Sequence, residues 1–258
     1  MPTDCPWWAP PLLAVQFLTR IPVPGTDRLA PHVVQVGLAR AVGWFPLVGA
    51  LIGGVTAIVF VSARLIWPVW VAVLLALAVE AWVTGAFHED AVADFCDAFG
   101  GVRSADDIRQ ILKDSRIGSY GAVGLGLALA LRATLTVALP PTLAATAIIA
   151  AATFGRFVIV VAMATIPVAP ARDGLAKDIG AHVGAQTVAV ALLTTLPGLA
   201  MLAWTGAARL LIASAVALAF LWWLRAMLIR RIGGSTGDCL GFAGYIGQLL
   251  LLLAASAR

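Results

Sequence analysis

Seven long apolar blocks follow one another along this chain with only short polar stretches between them: approximately Ala41–Ala63, Pro68–Phe87, Ser119–Leu139, Leu143–Pro167, Thr187–Trp204, Ala208–Ile229 and Gly241–Ala255. A bilayer core about 30 Å thick takes ~20 apolar residues of helix to cross. In lipid every backbone N–H and C=O must be satisfied within the protein, so only helices and closed barrels span. A barrel needs segments of about ten residues that alternate polar and apolar, and none of these blocks alternates. The expected fold is all-α, a polytopic integral membrane helical bundle with about seven transmembrane helices, forming one domain over residues 1–258 with its working loops on the cytoplasmic side. Composition agrees, since 61% of the residues are hydrophobic and only 12% charged, where soluble domains are roughly half apolar.

The N-terminal "CPWWAPPLLAVQFLTRIPVPG" has a shorter apolar stretch, interrupted by Pro10 and Pro11, without the basic region and cleavage site of a signal peptide. It reads as an interfacial or re-entrant segment anchored by Trp7 and Trp8. Cys5, Cys96 and Cys239 have no paired spacing and are expected to be free thiols.

Loops counted alternately from the N-terminus place Arg20, Arg28, Arg40, Arg103, Arg109, Lys113, Arg116, Arg172, Lys177, Arg230 and Arg231 on one side, against Arg64, Arg209 and Arg258 on the other. The positive-inside rule makes the first side cytoplasmic. The loop acids from Asp27 onward, Asp173 and Asp178 among them, share that side. The formal charge of +4 thus reflects topology, and no basic stripe with interleaved aromatics argues for nucleic acid.

One cytoplasmic segment stands out. "FHEDAVADFCDAFGG", Phe87 to Gly101, holds a histidine and four acids with no Lys or Arg. Read as a helical extension of the second span, it places Asp90, Asp94 and Asp97 at i, i+4, i+7 on one face. Carboxylates so close repel unless a cation sits among them, and oxygen-only ligands suit a hard ion, Mg²⁺ or Mn²⁺. The blander alternative is a solvated acidic face, against which Val92, Phe95 and Phe99 supply apolar partners. His88 and Glu89 lie off that face, His88 being either a proton carrier or a hydrogen-bonded structural residue. Glu80, inside the second span, is about 15 Å of helix from Asp90 and shares its ion only if the helix breaks near Gly85; otherwise it pairs with an intramembrane arginine.

In "ILKDSRIGSYG", Lys113 and Arg116 flank Asp114 and face one way at i, i+3, a grip for phosphate oxygens with Asp114 as an added ligand. Arg156 and Arg132 are mid-span guanidiniums that need a carboxylate or an anionic ligand. "GGSTGDCLGF", Gly233 to Phe242, carries Asp238 on a glycine-rich connection. Acids for a divalent ion and bases for phosphate on one membrane face suit metal-assisted phosphoryl transfer.

These motifs occur in an order, "FLTRIPVP", "GWFPLVGALIGG", "FHEDAVADFCDAFGG", "ILKDSRIGSYG", the Arg156 segment and "GDCLGF", that resembles the cobalamin synthase family, the adenosylcobinamide-GDP ribazoletransferases, over most of the chain. The resemblance implies a polytopic enzyme of the inner membrane that joins adenosylcobinamide-GDP to α-ribazole or its 5′-phosphate, giving adenosylcobalamin or its phosphate and GMP, with Mg²⁺ as cofactor. The family segment H-x-D-G-x-x-D-x-x-D-G is matched at His88, Asp90, Asp94 and Asp97, with Ala91 and Ala98 in place of glycines and Glu89 in place of an apolar residue. K-D-S-R-I-G is matched fully from Lys113 to Gly118. Gly237, Asp238 and Gly241 match the last motif; Phe242 replaces a small residue, and Gln248 is the polar residue nearest an expected glutamate. By this resemblance Asp90, Asp94 and Asp97 hold the metal. His88 and Asp94 are candidates for moving the hydroxyl proton, Lys113 and Arg116 neutralise the leaving group, and Arg156, Asp114 and Asp238 contact the bound substrates. Membrane lipid is the remaining expected partner, with homo-oligomerisation left open. A CDP-alcohol phosphatidyltransferase-like enzyme is the alternative, although Phe95 follows the second aspartate where that motif requires glycine; a transporter is further off, for want of an internal repeat.

Overall fold

The computed structural model of the protein describes residues 5–101, 103–170 and 183–257; the charged positions Arg172, Asp173, Lys177, Asp178 and Arg258 lie outside these. Ten α-helices account for most of the described residues, and no strand longer than an isolated bridge is found among them. Five helical stretches are long and apolar enough to cross a membrane, six if one sharply bent pair counts as a single span. The apolar block expected from Thr187 to Trp204 is helical too, but its Ala185–Ala200 stretch is shorter than a full span.

Helix α1 (Ala9–Leu18) starts where Pro10 and Pro11 fall in the first turn. Those positions have no intrahelical N–H partner, so the prolines open the helix and do not interrupt it. Leu13, Ala14 and Leu18 are buried against α2 (Pro31–Ala41) and α3 (Phe45–Arg64), while Trp7 is exposed. Helix α4 (Val69–Thr84) is followed by α5 (Phe87–Phe99), the short α6 (Ala105–Ile111), α7 (Ser119–Ala138) and α8 (Pro141–Thr165). Helix α9 (Ala185–Ile232) leaves helical dihedrals at Gly206, and α10 (Gly237–Ser256) ends the fold.

At the centre of the bundle, α8 packs against α3, α9 and α10. Its alanines 144, 147, 150 and 152 are fully buried. Between membrane helices the attraction comes from close backbone approach, which small residues permit. A Cβ at Gly49 of α3 would lie 2.5 Å from the Ala152 carbonyl, and one at Gly155 of α8 would lie 2.5 Å from the Gly244 carbonyl of α10. Added bulk at either crossing would push the helices apart. A second tie joins loops on one side of the bundle, where the Ser235 N–H donates to the Pro167 carbonyl at 2.8 Å and the Ala169 N–H to the Ser235 carbonyl at 3.0 Å. Cys5, Cys96 and Cys239 are free thiols.

Candidate active site

The acidic segment is helical as expected but does not continue α4. Gly85 caps α4 with φ +71°, and Ala86, φ +57°, is the next residue in the left-handed region. Two such residues in succession stop a right-handed helix, and the pair α4 and α5 is bent by 90°. An alanine there costs about 1–2 kcal/mol that a glycine would not, a strain the surrounding packing must hold. The Arg20 N–H donating to the Val83 carbonyl at 2.8 Å ties the end of α1 to this bend.

The bend lays α5 antiparallel beside α7, so that successive residues of one meet successive turns of the other. Asp97 meets Gly118 and Gly121, Cys96 abuts Gly124, Val92 packs with Ala128, and Glu89 reaches Arg132. Arg132 is thirteen residues into α7, ~20 Å of helix. The acidic helix therefore runs inward along the bundle; it is not an extension beyond it.

This placement divides the acids by role. Asp97 accepts the Gly118 N–H at 2.7 Å and the Gly121 N–H at 2.8 Å, taking up free donors at the start of α7 where the helix dipole favours a negative charge. A Cβ at Gly118 would lie 2.5 Å from the Asp97 carboxylate, and one at Gly121 would overlap it. The glycines of "RIGSYG" are thus the receptacle for the last aspartate of the acidic motif. Asp97 is buried on this side and does not join Asp90 and Asp94 as a three-carboxylate ligand set. Among the described residues no group of three His, Cys, Asp or Glu is arranged to hold a metal. Asp90, exposed, and Asp94, half-buried, lie one turn apart on the same stripe of α5, with Asp97 at the edge of that stripe that α7 covers. Mg²⁺ commonly takes one or two carboxylates, which this pair could supply, and completes its shell with water and substrate phosphates.

Behind α5 lies a buried charge cluster. Arg132 donates to Glu80 Oε2 at 2.7 Å, Thr56 donates to the same oxygen at 2.9 Å, and Glu89 Oε1 is 3.7 Å from Arg132. The Arg132 guanidinium also lies over the Tyr245 ring at 5.6 Å. The break at Gly85 lets Glu80 and Glu89 meet one arginine, so the structural pairing of Glu80 holds. Arg156, 1% exposed, donates only to its own helix at Ala152, 3.4 Å, and has no carboxylate within salt-bridge distance among the described residues. Gln248 is buried against Gly155. His88 is 1% exposed, off the aspartate face as expected, with neither ring nitrogen hydrogen-bonded.

Residues 113–118 are not helical, so the i, i+3 argument for Lys113 and Arg116 does not apply. Arg116 instead grips Asp114, its Nε 3.0 Å from both carboxylate oxygens and a terminal nitrogen 2.6 Å from Oδ2. Hydrogen bonds from the Arg116 side chain and then its backbone hold the Asp114 carboxyl below the usual aspartate range, and they raise the Arg116 guanidinium in turn. Lys113 is exposed beside this clip. Asp238 is half-buried in the first turn of α10, where the Thr236 hydroxyl both caps the helix and lies 3.4 Å from its carboxylate. Phe242 stacks on Phe95 at 3.7 Å, and Phe95 on Phe99 at 4.6 Å, fixing α10 against α5. No sequence pattern marks Tyr245, whereas the glycines at 118 and 121 are a legible sign of close approach.

The sequence profile of the cobalamin-5-phosphate synthase family matches residues 10–256. Among curated relatives, the adenosylcobinamide-GDP ribazoletransferase of Ralstonia nicotianae is 39% identical over 244 residues, 93% of this chain and 92% of its own. That of Leptothrix cholodnii is 38% identical over 251 residues, with coverage of 93% and 92%. The enzyme of Shewanella frigidimarina is 36% identical over 252 residues, with coverage of 95% and 93%. No solved structure matches the chain.

Proposed function

The chain belongs to the cobalamin-5-phosphate synthase family and is a transferase of cobalamin biosynthesis, and on that premise we propose that it transfers the cobinamide phosphoryl group from adenosylcobinamide-GDP to α-ribazole or its 5′-phosphate, with Mg²⁺, on the cytoplasmic face of the inner membrane. The observation that carries this reading is the division of labour on α5. Asp97 and Glu89 fasten the helix to α7, at Gly118 and Gly121 and at Arg132, with exposed Asp90 and half-buried Asp94 following Asp97 on the same stripe of α5.

Asp90 and Asp94 are the residues that would hold Mg²⁺, which when bound supplies positive charge to the diphosphate oxygens. The bond that forms joins a ribazole hydroxyl oxygen to the phosphorus attached to cobinamide; the bond that breaks is that phosphorus to the bridging oxygen, which departs with GMP. The hydroxyl proton goes to Asp94. Asp94 is preferred to His88 because Asp94 shares the stripe of α5 that carries Asp90 and His88 lies off it. Lys113 and Arg116 neutralise the departing phosphate, Arg116 by exchanging Asp114 for it, which frees Asp114 for the substrate side of the site. Asp238, in the first turn of α10, borders the same region. Arg156, buried mid-bundle, is left out of the substrate contacts. The orientation is supported by Arg231, which donates to the Gly101 carbonyl at 3.4 Å and so sits on the side where α5 ends.

The test is GMP release by purified protein in lipid, given adenosylcobinamide-GDP, with ribazole and Mg²⁺ each present or withheld. Release requiring all three supports the reading, and Asp94→Asn should abolish it. Full Mg²⁺-dependent activity in that variant would remove Asp94 from the metal and proton roles.

A further inference from the structure

The nucleoside acceptor of this reaction has to bring a ribose hydroxyl to the aspartate face while its base rests elsewhere, and an apolar recess adjoins the start of α5. Phe17, Phe45, Phe87, Ile159, Met163 and the Gly237–Gly241 turn of α10 enclose a cavity of ≈ 40 Å³, room for about three water molecules. Its aromatic wall is continuous. Phe17 stacks on Phe45 with centroids 5.6 Å apart and Phe87 meets Phe17 edge-on at 5.8 Å, while His88, outside the lining, meets Phe87 edge-on at 5.5 Å.

We propose that this recess takes the flat heteroaromatic base of the acceptor nucleoside, and that His88 reads its ring nitrogen. The proposal rests on the transferase reading above and adds the location and chemistry of the base subsite. Three observations point there. Phe87 is three residues before Asp90, one turn of the same helix, so a base against Phe87 puts its ribose beside the aspartates. The turn that closes the recess, Gly237–Gly241, carries Asp238, so the recess lies between two acid-bearing helix starts. The lining is apolar, yet the adjoining imidazole is buried with neither nitrogen hydrogen-bonded, an arrangement that native interiors keep for a ligand or bound water. A fused bicyclic ring needs more room than three waters, and the wall free to yield is Phe87, 43% exposed.

The experiment uses the full chain in lipid nanodiscs and follows GMP release with adenosylcobinamide-GDP and three α-ribosides. One carries benzimidazole and one the larger naphthimidazole; the third carries indole, which keeps the shape but has C–H where benzimidazole has an acceptor nitrogen. Ile159→Ala removes three carbons from the wall and should raise the naphthimidazole-to-benzimidazole ratio of kcat/KM at least tenfold, since a single methylene in such a pocket is worth about 10–200-fold; Met163→Ala serves the same purpose if that variant does not fold. The wild type should prefer benzimidazole to indole at least tenfold, and His88→Leu should bring that ratio within twofold of unity. Each readout is a ratio within one variant, so partial loss of folded protein cancels. Unchanged ratios would overturn the proposal, as they would if a lipid acyl chain fills the recess. Absence of GMP release from wild-type protein with every riboside would instead overturn the transferase reading itself.

Discussion

Replacing Asp97 tests whether this carboxylate is a helix cap or a metal ligand. It accepts two backbone N–H groups, from Gly118 on the exposed side and from buried Gly121, at 2.7 and 2.8 Å. Hydrogen bonds to a charged group contribute ~1.5–3 kcal/mol each. Water can replace the partner of Gly118, so Asp97→Ala should cost about 3 kcal/mol, borne at the contact between α5 and α7. Asp97→Asn keeps one acceptor oxygen and should cost about half as much. Both changes stay below a total stability of ~5–15 kcal/mol, so the protein stays folded while the junction loosens. Amide hydrogen exchange in nanodiscs reads this directly. The Gly121 amide should exchange roughly a hundredfold faster in Asp97→Ala, since 1.4 kcal/mol is about tenfold, while amides in the centre of α8 are unchanged. Activity should fall with the protection, and the Mg²⁺ concentration for half-maximal rate should move little. Unchanged Gly121 protection together with a large rise in the Mg²⁺ requirement would refute the cap and restore Asp97 to the metal.

Ala86→Gly should raise stability by about 1 kcal/mol, read as a higher midpoint of thermal unfolding, because Ala86 holds φ +57°. Arg132→Met should be severely destabilising, by ~3–5 kcal/mol, because it strands Glu80, 3% exposed; adding Glu80→Gln should recover part of the loss in a double-mutant unfolding cycle. The Asp114 carboxyl is held below its ordinary pKa by Arg116, so the clip is intact above the unfolded value, about 3.9, and opens only as pH falls through the lower folded value. The Asp114 carboxyl carbon shift should track this by NMR, and 1 M salt should loosen the clip at neutral pH, since Arg116 is 87% exposed and screening acts within ~3 Å. A carboxyl that titrates at the ordinary value would contradict the clip.

The span pattern was legible because apolar length is a local property, set by the bilayer and readable one block at a time. The site was legible as a set of residues but not as an arrangement. Helical spacing put Asp90, Asp94 and Asp97 on one face, and the helix is real; what spacing does not encode is that α7 arrives along the edge of that face with two free N–H groups beside Asp97. A carboxylate at i+7 is drawn to the nearest strong donors, and backbone amides at a helix start are such donors. Gly85 shows the same limit from the other side. Sequence identified a glycine at which the helix could break, while the decision to break there is made by Glu80 and Glu89 both gaining Arg132 in the interior.

That decision also explains how an acidic helix is tolerated within an apolar bundle. Four acids in a short helix would repel one another and favour unfolding into water. Here Glu89 faces Arg132 at 3.7 Å, and Asp97 meets the positive end of α7. Asp90 is exposed and Asp94 half-buried, and two carboxylates one turn apart are a modest charge to carry there. The inward acids therefore make the outward pair affordable, because they fasten the helix whose Asp90 and Asp94 must stay fixed while cation and phosphates come and go. Loss of either fastening should lower catalysis without altering a group that touches substrate, the pattern expected of residues that position a site from behind.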